Sequence, residues 1–135
     1  MRFLFGVGYK EWAFNLAAFV LRIGGGALMF SHGYDKLIHF NRLSNGFMRF
    51  LGLSSEVSLG LVIFAEFFCA IFLILGLATR FVAVPLLIDT FVALSVAHKF
   101  DFFAKGEKAA LFVTIYFTIL LIGPGRISVD GMIKK

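Results

Sequence analysis

Four long apolar stretches alternate with short polar segments along the chain, running from about Glu11 to Ser31, Glu56 to Leu77, Phe81 to Lys99 and Glu107 to Gly123. Each is near the roughly 20 residues that cross a hydrocarbon core, and each is bounded by charge, glycine or both. A bilayer offers backbone groups no water, so a spanning segment must be a helix and not an open strand. The pattern predicts an all-α chain: an integral-membrane four-helix bundle forming a single transmembrane domain over residues 1–135.

The connections order the helices. Ala78-Thr79-Arg80 is so short that the second and third spans must be an antiparallel hairpin, and Phe100 to Gly106 does the same for the third and fourth. In the longest connection, between the first and second helices, Phe40, Leu43, Phe47 and Phe50 recur at helical spacing while Asn41, Arg42, Ser44, Asn45 and Arg49 fall elsewhere. That predicts an amphipathic segment lying in the membrane interface, with a lid over the bundle mouth as the alternative. Gly123-Pro124-Gly125 ends the last helix.

Composition agrees with an apolar solvent. Hydrophobic residues make up 60% of the chain and the mean hydropathy is +0.93, more than a soluble domain of this length can bury. The 19 Phe residues spread over every stretch, which suits lipid-facing and packing bulk rather than a motif. The net charge of +5 comes from Lys and Arg scattered at segment ends, with no dense basic block to track a nucleic acid backbone. Those residues divide evenly between the two sides of a four-span topology, so they assign no orientation. A lone cysteine, Cys69, excludes an internal disulfide, a C-x-x-C pair and a cysteine-rich metal site.

Candidate chemistry lies in the ionisable residues inside the spans. Arg22, Glu66 and Asp89 each fall about ten residues into a span, which at 1.5 Å per residue places them roughly 13 to 15 Å deep. An isolated charge there is costly, so the expectation is one midplane cluster with Arg22 between the two acids. Asn15, Ala18, Arg22, Gly25, Met29 and His32 follow steps of three and four, a stripe of small and polar residues suited to close packing. Glu107, Thr114 and Thr118 align on one face of the fourth span. His32, Lys36, His98 and Glu107 gather towards one membrane face at the ends of three helices. They would either anchor the interface or share a ligand site, as metal ligands or as proton carriers near a quinone. No two of them have ligand spacing on one helix.

With Phe30-Ser31-His32-Gly33, Lys36-Leu37, Glu66, Gly76-Leu77-Ala78-Thr79-Arg80, His98, Gly106-Glu107 and Gly123-Pro124-Gly125-Arg126-Ile127-Ser128-Val129-Asp130 in this order, the chain from residue 20 onward resembles the DoxX family of small bacterial membrane proteins. The resemblance implies a multi-pass protein of the bacterial cytoplasmic membrane in a family associated with redox chemistry, including thiosulfate:quinone oxidoreduction and thiol stress. Its polar signature falls on Arg22, His32, Lys36, Glu66, Arg80, His98 and Glu107, whereas Asp89 is less typical of it.

No thiol pair, nucleotide-binding glycine loop or haem or iron–sulfur ligand set is present, so a redox role would need a bound quinone or a partner subunit. Two functions follow. The first is a subunit of, or accessory to, a quinone-linked membrane oxidoreductase, with the buried cluster handling a ligand or protons and a redox partner protein supplying electrons. The second is a non-enzymatic module that binds a partner protein or lipid, its charges purely structural. A carrier or channel would require the chain to form a homo-oligomer, because four short helices leave little room for a pathway.

Overall fold

A computed structural model describes residues 5–45, 52–97 and 106–133. Helix α1 spans Glu11–Ile38 and is followed by the single turn α2, Phe40–Leu43. Helix α3 covers Ser55–Leu75, its middle Phe64–Cys69 wound as a π-helix. Helix α4 covers Thr79–Val92 and continues in a second π segment, Ala93–Ala97. Helix α5 is Glu107–Ile122, and a short α6, Val129–Ile133, closes the described chain. Among the described residues there is no strand. Within the described residues each expected span is helical over most of its length, but α1 runs past Ser31 to Ile38. Of the expected amphipathic helix only Phe40–Leu43 is seen; Phe47, Arg49 and Phe50 lie outside the described residues.

Local chemistry sets the element ends. Ser54 accepts a hydrogen bond from the Val57 N–H and opens α3. Gly76, at φ +74°, closes it: the Gly76 N–H bonds Leu73 O and the Leu77 N–H bonds Phe72 O, the two bonds of a Schellman cap. Gly123, at φ +82°, ends α5 as expected.

The four long helices pack around Met29, Cys69, Leu73, Leu86, Phe112 and Ile119. Small residues bring α1 onto its neighbours. A Cβ at Gly26 would lie 2.5 Å from Ile74, and one at Gly33 would lie 2.6 Å from the Glu66 carbonyl carbon and the Phe67 nitrogen. Backbone therefore meets backbone at Gly33, the tight approach that small residues permit between membrane helices. Tyr116 ties α5 to α1 through a buried 2.9 Å bond to Gly25 O.

The outer surface is apolar, with Val20, Leu28, Phe64, Phe68, Phe81, Phe117 and Leu121 exposed. Helices α1 and α3 are long and apolar enough to cross a membrane, and only 28% and 44% of their apolar windows are buried inside the protein. The remainder needs an apolar solvent.

Replacing Gly33 by Ala forces α1 and α3 apart, because the new methyl meets backbone and not a side chain that can turn away. The expected loss is about 1–3 kcal/mol, read as a lower thermal midpoint in detergent. Gly24 has open space around its Cβ position, so Gly24→Ala should leave the midpoint unchanged.

Candidate functional site: two polar centres

The ionisable residues expected at one depth form two separate centres. Arg22, only 1% exposed, forms no ion pair with Glu66 or Asp89 among the described residues. Its Nη1 donates to Leu73 O at 3.2 Å and Ile74 O at 3.0 Å, its Nε to Pro124 O at 3.1 Å, and its Nη2 to Ile127 O. The guanidinium thus satisfies the last carbonyls of α3, where the helix dipole favours a cation, and holds the C-terminal segment in the same grip.

Register explains the correction. Gly33 of α1 faces Glu66 and lies 11 residues beyond Arg22 in the sequence, so roughly 16 Å of helix separates Arg22 from the level of Glu66. Because α1 continues to Ile38, its N-terminal part stands beyond the end of α3 and packs against the C-terminal segment instead. There the Asn15 Oδ1 accepts from the Arg126 N–H at 3.0 Å.

The rest of this centre follows the same logic. Arg80 donates to Leu120 O at 3.0 Å and Leu121 O at 3.3 Å, covering the end of α5. The Asp130 carboxylate accepts from the N–H groups of Ala78 and Thr79, both at 2.8 Å, while its own N–H bonds Gly76 O at 2.9 Å. It thereby caps the start of α4 and steadies Ala78, which has φ +51°, a left-handed conformation uncommon outside glycine. Burial opposes ionisation of Asp130, but the Thr79 and Ala78 N–H groups and the nearby Arg22 charge prevail and hold its carboxyl below the usual aspartate value.

The second centre is a cavity of about 480 Å³ among α1, α3, α4 and α5. Met29, His32 and Lys36 line it from α1, Glu66 from α3, Asp89, Thr90 and Ala93 from α4, and Glu107, Lys108 and Phe112 from α5. Lys36 Nζ meets Glu66 Oε1 at 2.5 Å, with the Glu66 side chain 9% exposed. Side chains on a helix lean towards its N-terminus, so Lys36 reaches back one turn to the level of Gly33, where α3 comes closest. Asp89 lines the same cavity as Glu66 and Lys36. His32 stands edge-on to Phe112, ring centres 6.0 Å apart. Both π segments border this cavity, one carrying Glu66 and the other Ala93. Such windings recur at functional sites because they displace side chains from α-helical register.

The structure therefore gathers Lys36, His32, Glu66, Asp89 and Glu107, and excludes Arg22. His98 lies outside the described residues. Thr114 and Thr118 return their hydroxyls to carbonyls of their own helix and do not join Glu107 at the cavity. Lys108, beside Glu107 at the start of α5, also joins the cavity lining. Among the described residues no group of His, Cys, Asp and Glu is arranged to hold a metal ion.

The described residues form an all-helical protein with an apolar outer surface and an open cavity lined in part by ionisable side chains. Its sequence matches the DoxX family model over residues 17–99, more than half the chain, and the protein belongs to that family of membrane proteins. Comparison with curated proteins and with solved structures gives no match.

Asp130 makes the first centre sensitive to acid. A carboxyl whose folded pKa lies below its unfolded value, about 3.9, contributes stability that is complete above that value and is lost as pH falls through the folded one. Asp130→Ala should cost ~0.5–2 kcal/mol at neutral pH, as cap deletions do. Thermal midpoints of wild type and variant should converge as the pH drops below 4.

Proposed function

We propose that this protein is a membrane subunit of, or accessory to, a quinone-linked oxidoreductase system, its four long helices crossing the bacterial cytoplasmic membrane. The observation that carries this reading is the part-buried Lys36–Glu66 pair with Asp89 at a cavity of about 480 Å³. That volume falls within the range of small-molecule sites, about 300–1,000 Å³. Ionisable groups away from water in a membrane protein mark ligand or proton pathways by default.

The residues fit a quinone headgroup, which would bring the two-electron chemistry that the chain itself lacks. Lys36 has three N–H groups and a single partner, Glu66, among the described residues, so it can also donate to a carbonyl oxygen. Glu66 and Asp89 stand beside it in the cavity wall. Met29 and Phe112 provide an apolar wall, Phe112 being stacked on Tyr116 with ring centres 5.8 Å apart. His32, Glu107 and Lys108 are exposed at the rim and connect the cavity to water. A redox partner protein supplies the electrons.

The second reading, a module that binds a partner protein or lipid, is favoured by Arg22, whose hydrogen bonds all go to backbone carbonyls. Mass spectrometry of small molecules co-extracted in mild detergent separates the two. Wild type should retain a quinone and Lys36→Met should lose at least nine-tenths of it while eluting as a folded species. Bulk lipid alone in both preparations would favour the second reading.

A further inference from the structure

Asp89 presents a problem of hydrogen-bond satisfaction. Its Oδ2 is buried and has no donor among the described residues, yet buried polar atoms are nearly always bonded. Lys36 Nζ donates to Glu66 Oε1 and makes no bond to Asp89 Oδ2. The Thr90 hydroxyl donates to carbonyls of its own helix, Leu86 O and Leu87 O. The Tyr116 hydroxyl donates to Gly25 O. The group that shares the cavity wall with it is the Glu66 carboxyl, an acceptor when ionised. Two carboxylates cannot face each other in a buried site without one of them binding a proton.

We propose that Glu66 and Asp89 share a single proton, forming a carboxyl dyad that is the proton store of the cavity. The charges around it agree. From α1 come Lys36 and His32, from α3 the buried Cys69 thiol, and from α5 Glu107, Lys108 and Tyr116. Glu107 and Lys108 are exposed at the rim and offset one another. One cation, Lys36, therefore stands against two carboxyls, and a dyad holding one proton carries the single negative charge that balances it. Each half needs the other: without Asp89, Glu66 is a simple ion pair with Lys36, and without the Glu66 charge, Asp89 can ionise beside the same lysine.

The link to a quinone rests on the function proposed above. There the dyad O–H bond breaks as an O–H bond forms on the ligand oxygen, and water at the rim returns the proton. The dyad itself stands on the ligand-free geometry.

Infrared spectroscopy of the purified protein without added ligand tests it. At neutral pH wild type should show one carbonyl band of a protonated carboxylic acid, shifted in heavy water. That band should disappear in both Glu66→Gln and Asp89→Asn, each checked for an unchanged elution profile. Absence of the band in wild type overturns the dyad, whether or not either variant folds. A band that persists in Glu66→Gln also overturns it, because Asp89 would then be neutral through burial alone. Failure to co-extract a quinone would remove the proposed ligand and leave this result untouched.

Discussion

A guanidinium out of reach of bulk water has to find acceptors in the protein, and Arg22 finds them in four backbone carbonyls. Two belong to the end of α3 and two to the segment after α5, so one side chain locks the helices at this end of the molecule. The arrangement suits an apolar solvent, where unsatisfied carbonyls at a helix end would cost several kcal/mol each. Arg80 does the same for α5 and Asp130 for the start of α4. The residues of the tight hairpin at 76–80 and the tail at 123–130 are thus parts of one structure. Their spacing along the chain reflects hydrogen bonds among distant turns.

Because Arg22 is committed to that end, Glu66 and Asp89 must be balanced by other means. Lys36 supplies one charge, and it can do so because Gly33 lets α1 rest directly on the α3 backbone beside Glu66. Two carboxyls facing one lysine leave a site that is not fully neutralised by its own fixed charges. Set in a cavity and bordered by two π segments, that imbalance is what the proposed function draws on. At the opposite end Arg22, Arg80 and Asp130 are committed to backbone hydrogen bonds.

Much of this was legible in the sequence. Apolar run lengths predict the helices, the short hairpin predicts the antiparallel α3–α4 pair, and Gly123-Pro124-Gly125 predicts the end of α5. The stripe through Ala18, Arg22, Gly25 and Met29 is the buried face of α1. The partner of Arg22 was not legible, because equal depth within each span was measured from hydropathy boundaries and α1 extends to Ile38. That extension shifts the register of α1 against α3. Carbonyl acceptors also have no residue identity, so composition naturally suggests a carboxylate for a buried arginine. Lys36 was recognised, but its reach back to Glu66 depends on the lean of helical side chains and on the close approach at Gly33.

The central claim is a division of labour: Arg22 holds the fold and Glu66 serves the cavity. Its most direct test measures thermal midpoint and quinone affinity in parallel for Arg22→Gln and Glu66→Gln. Arg22→Gln should lose ~3 kcal/mol or more of stability, as expected for stranding charge-assisted bonds, while the fraction that remains folded binds as wild type. Glu66→Gln should keep its midpoint and lose binding. A stable Arg22→Gln without binding, or a Glu66→Gln that fails to accumulate, would contradict the account.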